Sequence, residues 1–143
     1  MNNNRDRLTE LIRESKSIDN EIIGFIESNE PRYIYGNGLQ SAVCLQIFRD
    51  LDVKIEGILL PPGAKKAKYN GYWGKLLNSI NAFDLTEVKP CSTILLGIDK
   101  AAYDYVRLLL EYSGFSNIYI CSWKHNSDMQ ELCWKIYNGF KKR

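Results

Sequence analysis

One stretch constrains this chain more than any other: Arg32-Tyr-Ile-Tyr-Gly-Asn-Gly-Leu-Gln-Ser-Ala-Val-Cys-Leu-Gln-Ile-Phe48. A short apolar run, Tyr33 to Tyr35, reads as a buried strand. It ends in Gly36-Asn37-Gly38, and a helical pattern starts at once. A strand, a tight glycine turn and a helix N-terminus together form a place where backbone N–H groups can cradle a phosphate. The spacing is that of G-x-G-x-x-G, with Gly36, Gly38 and then Ser41 where the third glycine belongs. Ser41 and Ala42 are small, so the helix can still lie close to its strand.

The rest of the chain supplies a matching framework. Leu8, Leu11 and Ile12, then Ile22, Ile23 and Ile26, mark a helix over residues 5–29 in two pieces, with Asp19 as a cap between them. Pro31 closes it. This extension, residues 1–30, precedes the domain proper, 31–143, and is expected to lie on its own sheet. In the helix after the glycine turn, Cys44, Ile47, Phe48 and Leu51 fall on one face. Val53 to Leu60 reads as a second strand and Asn81-Ala82-Phe83 as a short edge strand. Between them, residues 61–75 read as a loop carrying Lys65, Lys66, Lys68 and Lys75 among Tyr69, Tyr72 and Trp73. Cations beside aromatics suit a base and a phosphate, although charge runs are also ordinary solvated surface. A helical turn over 76–80 precedes the edge strand.

Asp84 and Glu87 have the spacing of a capping box. Ser92 to Ile98 is a continuous apolar run, as a central parallel strand requires. Asp99 is expected to cap the next helix, whose stripe is Ala102, Val106, Leu109 and Leu110 and which Gly114 stops. Asn117 to Cys121 is a last strand. Ser127 and Gln130 open a last helix lined by Met129, Leu132, Cys133, Ile136 and Phe140. Right-handed crossovers turn this order into an α/β, three-layer Rossmann-like sandwich with a parallel sheet of order 3-2-1-4-5. Its ligand crevice falls between the strands at 33–35 and 92–98. The candidate site residues are therefore Gly36, Asn37, Gly38, Asp99 and Lys100, with the 61–75 loop over them.

Composition narrows the function classes. The net charge of +2 on 143 residues is too small to argue for nucleic acid. No apolar run approaches the ~18 residues of a membrane span, and the first residues lack the apolar core of a signal peptide, so a cytoplasmic protein is expected. None of the four cysteines, Cys44, Cys91, Cys121 and Cys133, forms a C-x-x-C pair, and they read as free thiols. Cys121 and His125 alone do not make a metal site. No catalytic constellation appears. In NAD-binding domains of this kind an acidic residue near the end of the second strand holds the ribose. Here that position is Leu59-Leu60, which disfavours NAD.

Several motifs together resemble the Rossmann-like domain of bacterial cell-surface sugar pathways. They are Tyr33-Ile-Tyr-Gly-Asn-Gly38, the Glu56-Gly-Ile58 strand centre, Asn81-Ala-Phe-Asp-Leu-Thr-Glu87, Ile94-Leu-Leu-Gly-Ile98 and Tyr112-Ser-Gly-Phe-Ser-Asn-Ile-Tyr119. Such domains precede the left-handed helix of nucleotide-sugar acyltransferases. Related ones lie N-terminal to FkbM-type methyltransferases and some glycosyltransferases. The resemblance covers residues 31–122 and implies a nucleotide or nucleotide sugar with its phosphates near Gly36, Asn37 and Gly38. It also implies a transferase accessory domain, with a catalytic partner domain or a homo-oligomer as company. The family's Asp near position 60 and its hexapeptide repeats are missing here. The alternative expectation is a degenerate, non-catalytic domain serving oligomerisation or partner docking.

Overall fold

A computed structural model describes residues 21–50, 52–66, 68 and 70–120. The expected helix over residues 5–20, its Asp19 cap, and the last helix beyond Ile120 lie outside the described residues. Five strands form one parallel sheet: β1 (Arg32–Tyr35), β2 (Gly57–Leu59), β3 (Ala82–Phe83), β4 (Thr93–Leu96) and β5 (Asn117–Ile120). Their order is β3-β2-β1-β4-β5, as the crossover rule requires. The described α-helices are α1 (Glu21–Glu27), α2 (Leu39–Asp50), α3 (Gly71–Ser79) and α4 (Tyr103–Tyr112).

The pleat divides the core in two. In register across the sheet, Ala82, Ile58, Ile34, Leu95 and Tyr119 point to one face. There they meet Phe25 and Ile26 of α1, Ala42, Cys44 and Phe48 of α2, and Leu77 of α3. The next row, Phe83, Leu59, Tyr35, Leu96 and Ile120, points to the other face. It meets Tyr103, Val106 and Leu110 of α4, with Leu85, Val88 and Phe115. A strand buried on both sides needs a continuous apolar run, and Thr93 to Leu96 is buried at every position.

The described part of the leading segment, α1, lies on the sheet. Gly24 makes that possible, because a Cβ there would stand 2.7 Å from the Tyr119 ring. The Ser28 and Thr93 hydroxyls bond at 2.5 Å. Arg32 closes the end of α1: its guanidinium donates to the carbonyls of Phe25 (3.0 Å), Ile26 (2.7 Å) and Ser28 (2.8 Å). Helix ends leave such carbonyls without an internal partner. At the end of α4, Gly114 (φ +100°) and Phe115 donate to Glu111 and Leu110, the paired bonds of a Schellman stop. Asp84 and Glu87 form the expected capping box on a short 3-10 helix, Leu85–Glu87.

Two segments differ from the sequence expectation. The second strand is Gly57–Leu59, not Val53–Leu60. Its neighbour β1 begins only at Arg32, whose carbonyl already accepts the Glu56 N–H at 2.8 Å, so residues 53–55 have no strand to pair with. The 61–75 segment is loop only as far as Asn70, and α3 starts at Gly71. Glycines at 71 and 74 hide the helical pattern; packing of Trp73 against the α1–α2 core forms it anyway.

Candidate functional site

The exits of β1 and β4 stand side by side. Tyr35 pairs with Leu96, and the Gly97 N–H donates to the Tyr35 carbonyl at 2.9 Å. On the other flank, the Gly36 N–H donates to Leu59 at 2.9 Å. Gly36 is buried with φ +121°. A Cβ on it would stand 2.7 Å from the Gly97 carbonyl oxygen and 2.9 Å from Ile98 Cγ2. Only glycine fits both the dihedral and the space.

Gly38 has the opposite surroundings. It is exposed, and a Cβ there would meet nothing within 4 Å. Its carbonyl accepts the Ala42 N–H at 3.1 Å, so Gly38 sits at the mouth of α2. The first N–H groups of a helix have no acceptor within it, and the helix dipole adds positive potential there. The corner Gly36-Asn37-Gly38 thus pairs a rigid base with an open rim, a form suited to an anion.

The missing third glycine is explained by Ser41, small as the sequence suggested, together with Gly97, whose role sequence reasoning passed over. Ser41 is fully buried and its hydroxyl donates to the Gly97 carbonyl at 3.0 Å. A Cβ on Gly97 would come within 2.6 Å of that hydroxyl and 3.2 Å of the Ser41 Cα. The close approach of helix to sheet is supplied by a glycine on β4's exit instead of one on α2. The signal was present in Ile94-Leu-Leu-Gly-Ile98, a glycine ending an apolar run beside the turn.

Asp99 and Lys100 follow β4 on the same side of the sheet. Asp99 is exposed, and its carbonyl accepts the Ala102 N–H at 3.0 Å, closing a 3-10 turn over Lys100–Ala102. The helix proper starts at Tyr103 with Ala102 as its N-cap residue and no side-chain cap bond. Asp99 therefore heads the 3-10 turn, Lys100–Ala102, that leads into α4.

Two side chains of the basic aromatic segment, Lys66 and Tyr72, bond to α3 and α2. Lys66 donates to the carbonyls of Asn78 (3.1 Å) and Ile80 at the end of α3. Those carbonyls lie just before β3, at the amino end of the sheet and away from the glycine corner. Tyr72 donates to Gln46 of α2 at 3.1 Å and stacks edge-on against Trp73 at 4.9 Å. These side chains anchor α3 to α2 and cap it.

Leu60 is buried in the α1–α2–α3 core and its N–H donates to Phe83 at 3.0 Å. The place where a ribose-binding acid would stand is hydrophobic interior. Tyr35, 3% exposed, lies under the crevice on the α4 face. Burial pushes its hydroxyl above the usual tyrosine range, with a further push from Tyr105. Burial, then Glu56, pushes Tyr33 up likewise. Both stay neutral at ordinary pH. Among the described residues no cluster of three His, Cys, Asp or Glu side chains could hold a metal ion, and no helix is long and apolar enough to cross a membrane. Cys44 is buried and Cys91 exposed, and neither is in a disulfide.

A cavity of about 370 Å³ opens at the opposite end of the sheet, lined by Leu45, Arg49, Asp52, Val53, Lys54 and Ile55 with Ile80. It receives the carboxyl ends of α2 and α3 and carries both signs of charge, Arg49 and Lys54 with Asp52. Comparison of the chain with protein-family models, curated proteins and solved structures finds no match.

Proposed function

We propose that this chain is a binding module for a phosphorylated small ligand, a nucleotide or nucleotide sugar, held at the Gly36-Asn37-Gly38 corner. In this reading it serves bacterial surface-polysaccharide synthesis as the accessory domain of a sugar-modifying transferase. One observation carries the reading: the open space at Gly38, directly above a glycine that the fold itself demands. The motif resemblance supports the nucleotide sugar over other phosphates, and the buried Leu60 speaks against NAD. The ligand's phosphate takes the N–H groups at the mouth of α2, and its sugar lies toward the β4 exit, where Asp99 and Lys100 begin the next turn.

Thermal unfolding with UDP, UDP-N-acetylglucosamine, NAD or S-adenosylmethionine at about millimolar concentration tests this. A ligand at ten times its Kd raises the midpoint by about 5 °C in a domain of this size. The expected result is a rise with the uridine ligands. Gly38→Val abolishes that rise and leaves the ligand-free midpoint within about 2 °C, since its side chain enters open space. No rise with any ligand, or a rise that Gly38→Val leaves intact, refutes the proposal.

A further inference from the structure

Tyr35 ends β1, one residue before the glycine corner. Its ring lies on the α4 face of the sheet in one cluster with Leu96, Tyr103 and Val106, and only 3% of the residue is exposed. A buried hydroxyl without a hydrogen bond is costly, so most are paired. Those of Ser41 and Thr93 are, to the Gly97 carbonyl and to the Ser28 hydroxyl. The Tyr35 hydroxyl meets no hydrogen-bond partner among the described residues.

The neighbouring helix fixes where that hydroxyl stands. Helix α4 begins at the carboxyl end of the sheet, after the β4 exit, and Tyr105 is in its first turn. After burial, the Tyr105 phenol is the second cause that lifts the Tyr35 hydroxyl above its ordinary range, so the two phenols lie near each other. Tyr105 itself is 73% exposed. The tip of Tyr35 therefore reaches toward the crevice rim, beside a solvent-facing ring.

Charge and chemistry define what fits there. Asp99 and Asp104 are exposed acids, and Lys100 and Arg107 are the cations of the same segment, with Arg107 turned to the Ile118 carbonyl at 3.3 Å. The signs balance, so this side offers a second phosphate no excess of positive charge. A neutral phenol donates one hydrogen bond and accepts others, the complement of an alcohol. An exposed aromatic ring beside it suits the C–H face of a sugar.

We propose that Tyr35 and Tyr105 are the sugar-reading side chains of the crevice: the Tyr35 hydroxyl bonds a hydroxyl of the ligand's hexose, and the Tyr105 ring lies against that hexose. This subsite rests on the reading that the Gly36-Asn37-Gly38 corner holds the phosphate. The phosphate then lies on the α2 side of the β1 end and an uncharged sugar ring on its α4 side.

Calorimetric titration of the full chain with UDP and UDP-N-acetylglucosamine tests the assignment in the wild type, Tyr35→Phe and Tyr105→Ala. The wild type binds the nucleotide sugar about ten-fold more tightly than UDP. Tyr35→Phe keeps the ring, loses about 3- to 10-fold toward the nucleotide sugar and nothing toward UDP. Tyr105→Ala, at an exposed position, behaves likewise. Without ligand, the urea midpoint of Tyr35→Phe at neutral pH equals or exceeds that of the wild type, because the hydroxyl removed has no partner. A lower midpoint would mean a hydrogen bond within the chain and overturns the proposal. Equal affinity of the wild type for both ligands, or a wild-type preference kept by both variants, also overturns it and leaves the phosphate reading standing. An equal loss toward UDP gives the tyrosines to the nucleoside and overturns the sugar assignment. No binding of either ligand removes the phosphate reading and this subsite with it.

Discussion

Ser41 and Gly97 share one contact that the usual fingerprint assigns to its third glycine. The Ser41 hydroxyl fills the space a Gly97 side chain would need, and uses it for a 3.0 Å hydrogen bond to the Gly97 carbonyl. Gly97→Ala is therefore expected to cost about 3 kcal/mol, since Ser41 Oγ at 2.6 Å and Ile34 Cγ2 at 2.7 Å must both move. Ser41→Gly alone loses the bond and adds a helical glycine, about 1–2 kcal/mol. Together the two cost less than their sum by about 1 kcal/mol, because the glycine makes room for the alanine. Urea denaturation of the four proteins in the cycle measures it, and strict additivity would show that the two residues do not share the space. Gly36 offers no such exchange, because its dihedral as well as its space requires glycine.

At the scale of elements, Arg32 joins three of them. Its guanidinium holds the last carbonyls of α1 and reaches Lys54 ahead of β2 at 3.4 Å, while its backbone opens β1. Arg32→Met keeps the apolar stem and removes the donors. The expected loss is about 2 kcal/mol, from charge-assisted bonds that are only partly shielded from water. Faster exchange of the amides of α1 should accompany it, with α4 unaffected; equal loosening of both helices would sink the assignment. The sequence made the end of α1 legible through Pro31, but not this role, because an arginine before an apolar run reads simply as a strand's first residue. The glycine corner was legible for a better reason: strand, turn and helix are contiguous there. Gly97 was not, because its partner Ser41 is 56 positions away. The same limit explains β2 and α3. The first was shortened by where β1 begins, and the second was assembled by Trp73, Tyr72 and Lys66 finding α2 and the end of α3.

Across the whole molecule, the sheet order was legible because apolar runs, capping residues and handedness leave few arrangements for parallel strands. The division into two cores follows from the pleat, and it puts Tyr33 and Tyr35 on the α4 face together. Tyr33 packs edge-on against Phe83 at 5.7 Å, across Gly57, and Tyr35 is almost wholly enclosed. Both hydroxyls are held above their ordinary range, so folding is linked to alkaline pH. A tyrosine neutral when protonated binds its proton more tightly in the folded chain than in the unfolded one. Its contribution is fully present below the unfolded value of about 10 and is lost as pH rises beyond it, because the unfolded chain then gives up the proton first. Each such group steepens the loss by at most about 1.4 kcal/mol per pH unit. Between pH 9 and pH 11 the urea midpoint of the wild type should fall further than that of Tyr35→Phe, and further still than that of Tyr33→Phe/Tyr35→Phe. Comparing each protein with itself at the two pH values removes the separate cost of deleting a hydroxyl. Parallel falls in all three would mean that these tyrosines titrate alike in the folded and unfolded chain, and that neither is shielded by the α4 face.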